Sequence, residues 1–280
     1  MDSLVSTQWL ASELGSPDLV VVDASNHLPA AGRDARAEYL EGHIPGARFL
    51  DLKTLFDETS DVPYALPLPE QLARRLADLG IGAGDRIVFY DDSAVKTAAR
   101  AWLLCRVHGI ENVAILDGGL AKWKAENRPL ECGESEIAPR QTSSLPAAER
   151  IRFKADMLAN LDSCAEQVLD ARDAGRFSGR IEDTVHNLPS GHIPGSCNLP
   201  FNTLFREDGT FRAPEELRER FEAAGIDLAR PVTTTCGSGV TASVLIFALH
   251  LIGHDDWALY DGSWSDWGSD PATPKATVSL

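Results

Sequence analysis

The sequence predicts an α/β protein built from two tandem copies of one domain, each a mainly parallel sheet flanked by helices. The segment Gly42-His43-Ile44-Pro45-Gly46-Ala47 returns 149 positions later as Gly191-His192-Ile193-Pro194-Gly195-Ser196. Asp117-Gly118-Gly119-Leu120-Ala121-Lys122-Trp123 returns 144 positions later as Asp261-Gly262-Ser263-Trp264-Ser265-Asp266-Trp267. Three matches in one order at nearly one spacing, the third being Leu19 to Ala24 with Val168 to Ala171, argue a duplicated domain and not a short-period solenoid. A length of 280 residues, beyond the usual span of a single hydrophobic core, agrees.

Each element has a local reason. Leu19 to Ala24 is an apolar, β-branched run and reads as a strand. Arg86 to Tyr90, Ala98 to His108 and Val113 to Leu116 read as strand, helix and strand, and this alternation is the pattern of a parallel sheet covered on both faces. Gly133 to Arg150 holds Pro139, Pro146 and several serines without a sustained period, so a linker is expected at 136–150, between domains at 1–135 and 151–280. Val232 to Thr235 is a β-branched strand and Ala242 to Ile252 an apolar helix. After Trp267, Pro271 and Pro274 predict an irregular surface tail.

Composition narrows the function. The 26 Lys and Arg against 42 Asp and Glu give a formal charge of −16, which disfavours nucleic acid and acidic membrane surfaces as partners. No apolar run reaches the ~20 residues that cross a bilayer, and Met1-Asp2-Ser3 lacks the basic start of a secretory signal, so a cytoplasmic protein is expected. Five scattered cysteines (105, 132, 164, 197 and 236), odd in number and without a CxxC pair, predict neither a disulfide framework nor a metal site. No cofactor is expected.

One of those cysteines stands apart. Cys236-Gly237-Ser238-Gly239-Val240-Thr241 lies between the β-branched strand and the apolar helix, a strand, loop and helix in succession. Gly237 and Gly239 are expected to adopt the positive φ that turns successive backbone N–H groups into one concavity around the sulfur. The helix N-terminus adds its free N–H groups and dipole, which favour a thiolate and a nucleophilic role for Cys236. Thr241 is expected as the helix N-cap, and Ser238 either hydrogen-bonds the entering or departing sulfur or simply forms the turn. Offset by 144, the first half has Asp92 in place of the cysteine and neither loop glycine, so chemistry is assigned to the second half and the site to an inter-domain crevice.

With its paired Gly-His-Ile-Pro-Gly segments, its Asp-Gly-(Ser/Gly)-(Trp/Leu) segments and the Cys236-Gly-Ser-Gly-Val-Thr-Ala242 loop, the chain resembles the tandem-domain rhodanese-like sulfurtransferases over nearly its whole length. The resemblance implies a ping-pong reaction: Cys236 takes a sulfane sulfur from a small donor, becomes a persulfide, and passes the sulfur to a thiol such as thioredoxin or a small thiol, or to cyanide. A Cys-Gly-Ser-Gly-Val-Thr loop resembles the 3-mercaptopyruvate enzymes, whereas a basic Cys-Arg-Lys-Gly-Val-Thr loop marks thiosulfate-preferring relatives. It also implies a carboxylate-binding role for Arg176, where a guanidinium offers planar bidentate recognition. Arg180 is the weaker second choice.

The chain departs from that pattern in two places. A second arginine usual before the second Gly-His-Ile-Pro-Gly segment is missing from Asp183-Thr184-Val185-His186, unless Arg180 or His186 substitutes. The acidic residue and histidine that the family brings to the loop serine align here with Lys53 and Tyr64, so a serine-protease-like relay is not supported. His43 and His192 occur in both halves while the cysteine loop occurs in one, so they are read as structural, as are Asp23, Asp170, Arg172, Trp264 and Trp267. Thr241 and Ala242 stand where a cysteine phosphatase needs its arginine, which argues against that activity; a non-enzymatic persulfide carrier remains the other reading.

Overall fold

The computed structural model describes residues 1–141 and 144–278. Two compact units divide the chain. Unit 1 comprises Met1–Asp57, Leu66–Glu149 and Phe205–Phe211, and unit 2 comprises Glu58–Ala65, Arg150–Leu204 and Arg212–Leu280. Each unit thus takes in one short stretch from the other half of the sequence.

In unit 1 the strands are β1 (Leu4–Val5), β2 (Leu19–Asp23), β3 (Arg48–Phe49), β4 (Arg86–Tyr90) and β5 (Val113–Leu116). Its helices are α1 (Thr7–Glu13), α2 (Ala35–Glu41), α3 (Pro69–Asp78), α4 (Ala98–Val107) and α5 (Gly119–Ala125). Unit 2 repeats the plan with β6 (Ile151–Arg152), β7 (Gln167–Asp170), β8 (Cys197–Asn198), β9 (Val232–Thr235) and β10 (Trp257–Tyr260). Its helices are α6 (Lys154–Ser163), α7 (Ala174–Ser178), α8 (Pro214–Ala223), α9 (Ala242–Leu251) and α10 (Ser263–Trp267).

The two sheets have the same order, β1-β5-β4-β2-β3 and β6-β10-β9-β7-β8, with every pair of neighbours parallel. In each, the chain runs outward to one side after the second strand and then crosses back to build the other side. The reversal lies between β9 and β7 in unit 2, and the carboxyl ends of strands at such a point are where open α/β sheets bind ligands.

Burial explains why β4, β9 and their helices lie at the centre. Strand β9 is buried along its whole length, as parallel strands covered on both faces are. Two of its threonines find acceptors there, Thr233 Oγ1 donating to Glu166 and Thr234 Oγ1 to the Ala242 carbonyl at 3.3 Å, whereas the buried Thr235 hydroxyl has no partner among the described residues. Helix α9 is buried from Ala242 through Leu249, the signature of a helix apolar all round. Its N-terminus consequently opens inside the fold, where a helix dipole is little screened.

The repeated Gly-His-Ile-Pro-Gly segments act as braces. His43 Nδ1 bonds the Tyr39 carbonyl at 2.8 Å and stacks on the Tyr39 ring at 4.0 Å; His192 Nδ1 bonds the Phe177 carbonyl at 2.8 Å and stacks on Phe177 at 3.9 Å. Trp264 and Trp267 are 1% and 0% exposed and belong to the core of unit 2. The tail beyond Trp267 is more than a surface strap: Ala276 forms an antiparallel bridge with His192, and Thr273 is buried. In the stretch 136–150, Arg140 pairs with Asp85 at 3.1 Å and the Pro146 carbonyl meets His108 at 2.8 Å, so most of it lies along unit 1. Thr142 and Ser143, within that stretch, are outside the described residues.

Candidate active site

Strand β9 ends at Thr235 and delivers Cys236, 2% exposed, to the loop in front of α9. The loop is tied down from α10. The Cys236 N–H donates to Ser263 Oγ at 3.1 Å, and that hydroxyl donates to the Tyr260 carbonyl at 2.9 Å. Trp264 N–H donates to the Cys236 carbonyl at 2.9 Å, and Ser265 bonds the Gly237 carbonyl through both its N–H and its hydroxyl at 2.8 Å. Ser263 holds this post at φ +49°, a backbone state that disfavours residues with a Cβ. The repeat has Gly119 at this position, also at positive φ.

Two expectations about the loop need correction. Only Gly239 takes a positive φ, +77°. Gly237 is glycine for a different reason: a Cβ there would stand 2.0 Å from His186 Cε1 and 2.3 Å from its Nε2. Nor do all the amides point at the sulfur, since the Cys236 N–H is already taken by Ser263. The N–H groups of Ser238, Val240 and Thr241 find no acceptor among the described residues and remain for an anion. Thr241 occupies the N-cap position of α9, but its side chain makes no capping bond. Ser243 Oγ, one turn on, fixes the Gly239 carbonyl at 2.9 Å.

Across the reversal, the segment after β7 builds a buried charge cluster. Arg172, 1% exposed, pairs with Asp170 at 2.6 Å, donates to the Gly191 carbonyl at 2.7 Å, and lies over the Trp264 ring at 4.4 Å. Its Nη1, without a hydrogen bond among the described residues, stands 3.7 Å from Asp183 Oδ2. Arg176 pairs with Asp173 through Nε and reaches within 3.6 Å of Asp183 through Nη1, so both arginines converge on one carboxylate. Asp183 also accepts from the His186 N–H at 3.1 Å and meets His186 Nδ1 at 3.1 Å. Burial alone would raise the Asp183 carboxyl, but the His186 ring and amide and the Arg176 guanidinium outweigh it and bring it down to about 2.

The His186 ring therefore packs against Gly237, the residue after Cys236, and Arg176 is joined to that ring through Asp183. Arg180 is exposed at the end of the α7 turn. Lys53 is exposed in the turn Leu52–Thr54, and Tyr64 is exposed at φ +58°. Sequence reading missed the Ser263 hydroxyl on the cysteine amide, whose only signal is a serine where the repeat has Gly119. It noted His186 without its partner, although the Asp183 to His186 spacing was there to read.

Unit 1 fills the corresponding loop with its own side chains. Asp91, buried, accepts from the Ala98 N–H at 2.7 Å and the Ser93 N–H at 2.8 Å, and Ser93 Oγ accepts from Val95 N–H at 3.3 Å. Asp92, at the cysteine position, pairs with Arg33 at 2.8 Å. At the same 144-residue offset, the amides of Ser93 and Ala98, which match Gly237 and Ala242, are closed here by the Asp91 carboxylate, and that of Val95, which matches Gly239, by the Ser93 hydroxyl.

Comparison with known proteins gives the same pairing of halves. A family profile described as rhodanese-like domain matches residues 6–126 and again 154–270. The chain is 40% identical over 271 residues to 3-mercaptopyruvate sulfurtransferase of Mus musculus, covering 95% of this chain and 91% of that protein. It is 39% identical over 284 residues to thiosulfate sulfurtransferase of Bos taurus, covering 99% and 95% respectively. The crystal structure of the 3-mercaptopyruvate sulfotransferase SseA from Escherichia coli superposes with a TM-score of 0.85 at 35% identity, covering 94% of this chain and 99% of that one.

Proposed function

Because the chain belongs to the rhodanese-like domain family, we propose that it is a 3-mercaptopyruvate sulfurtransferase whose chemistry resides in the second domain, at 151–280. The observation that carries this reading is the loop after β9, where a buried cysteine is followed by unpartnered amides at the mouth of an interior helix. Such N–H groups stabilise a thiolate and the persulfide anion that replaces it without introducing a competing acid.

The Cys236 thiolate attacks the donor sulfur, the S–S bond forms as the donor's C–S bond breaks, and the outer sulfur then passes to an acceptor. Gly237, Ser238, Gly239, Val240 and Thr241 form the cradle, with the amides of Ser238, Val240 and Thr241 as its donors. Arg176 binds the donor's carboxylate, and exposed Arg180 is the weaker candidate for it. We assign the acceptor to a thiol, either small or carried by a protein such as thioredoxin, or to cyanide, and the compartment to the cytoplasm, where five unpaired thiols persist. Among the described residues no helix is long and apolar enough to cross a membrane. Unit 1, with Asp92 at the cysteine position and the loop amides of Ser93, Val95 and Ala98 taken by its own side chains, is read as catalytically silent.

Thiosulfate is the second reading of the donor, favoured by the 39% identity to the bovine thiosulfate enzyme. A comparison of kcat/KM for mercaptopyruvate and thiosulfate with one common acceptor decides between them. Intact-mass spectrometry tests the shared chemistry: the reduced protein gains one sulfur on Cys236 when given its donor, and no gain from either donor overturns the reading.

A further inference from the structure

We propose that His186 is the proton-transferring residue for cleavage of an α-keto thiol donor, acting through Nε2, with Asp183 as its positioning residue. The inference rests on the mercaptopyruvate reading above and assigns the proton step of that reaction to this chain's own residues. Its basis is placement. The His186 ring lies against Gly237, so close that any Cβ on that residue would overlap Cε1 and Nε2, and the edge carrying Nε2 is the edge turned to the cysteine loop.

The other ring nitrogen is committed. Nδ1 lies 3.1 Å and 3.2 Å from the two oxygens of Asp183, a carboxylate that can only accept, so the Nδ1 proton points there and Nε2 is the atom that exchanges protons. Nε2 has no hydrogen-bond partner among the described residues. Asp183 is itself fixed by Arg172 and Arg176 at 3.7 Å and 3.6 Å, which hold it as an anion. A base, an orienting carboxylate and a nucleophile-bearing loop are thus brought together within unit 2.

The chemistry of an α-keto thiol requires such a group. As the Cys236 thiolate attacks the donor sulfur, the C–S bonding pair moves to carbon and is delocalised into the ketone as an enolate. The donor's thiol proton leaves sulfur and a proton arrives on carbon, converting the CH2 group to CH3. His186 Nε2 accepts the first and delivers the second, so the enzyme changes only from thiolate to persulfide anion. Thiosulfate makes no such demand, because its leaving group is sulfite, stable as an anion.

The test is single-turnover loading of Cys236, followed by intact mass, for the wild type, His186→Gln and His186→Phe with each donor. General acid–base catalysis is worth ~100-fold or more, so both variants should load from mercaptopyruvate at least about 100-fold more slowly. Loading from thiosulfate should stay within about 3-fold, a split that loss of loop structure would not produce. If one variant unfolds, the other decides. An equal fall for both donors, or an undiminished rate with mercaptopyruvate, overturns the role of His186 while leaving the sulfurtransferase reading intact. A wild type that loads from thiosulfate alone overturns the donor assignment and this role together, and one that loads from neither overturns the proposed function as well.

Discussion

If Cys236 is the nucleophile, as proposed, a single atom there decides activity. Replacing its sulfur by oxygen, Cys236→Ser, keeps the volume but removes the nucleophile, and should abolish sulfur loading with both donors while leaving the thermal midpoint nearly unchanged; intact mass and calorimetry check the two halves. Arg176 is a subtler case, since it is already bonded to Asp173 and near Asp183, and in the proposed role it would share its guanidinium with the donor. A lysine retains the charge without the fork. Arg176→Lys is expected to raise KM for mercaptopyruvate by ~10-fold or more, the weight of a charged hydrogen bond, with a smaller change in kcat. Steady-state kinetics would show it, and an unchanged KM would remove Arg176 from the binding site.

At the level of the element, the strand-loop-helix unit of β9 and α9 was legible in the sequence because β-branching, glycine and an apolar run are local signals. The reason for each glycine was not. Gly239 needs its backbone angle, a requirement of its own chain, but Gly237 answers to a ring from a loop some fifty residues earlier, which no local pattern reports. Gly237→Ala should therefore displace either the loop or His186 and lower kcat/KM by ~100-fold or more, although its φ is ordinary for alanine. The same unit in the first half makes the opposite case. Asp91 already caps the amides of Ser93 and Ala98, so Asp92→Cys should place a thiol there and still gain no sulfur from either donor. A persulfide on that cysteine would refute the idea that open amides make the site.

For the whole molecule, the duplication sets two similar carboxylates in different surroundings. Asp170 has Arg172 two residues on, whereas Asp23 has Ser25, and burial pushes the Asp23 carboxyl up to about 6. A folded-state value above the unfolded one means that the native state holds this proton more tightly. Its stabilising effect is complete below pH ~4 and is lost as pH rises through ~6, up to about 3 kcal/mol. Asp23→Asn should raise the melting temperature at pH 8 and have little effect near pH 4. Asp183 runs the other way: its lowered value gives stability that is present above pH ~4 and lost as pH falls toward ~2, about 2 kcal/mol at most. Melting curves of the wild type and Asp23→Asn across pH 3 to 8, at roughly equal ionic strength, check the first of these signs.

The sequence by itself determined the duplication and the parallel α/β architecture, and it is the source of the proposal that Cys236 is the nucleophile and the first loop silent, because each is written in residues adjacent along the chain or in a fixed repeat. Tertiary structure alone decided which amides stay open, that Ser263 anchors the cysteine, and that Asp183 turns His186 toward the loop. Those facts depend on strands β7, β9 and β10 lying side by side, so that their carboxyl ends bring together residues up to 80 positions apart, from Asp183 to Ser263. Closeness of that kind is created by packing, and no window along the chain contains it.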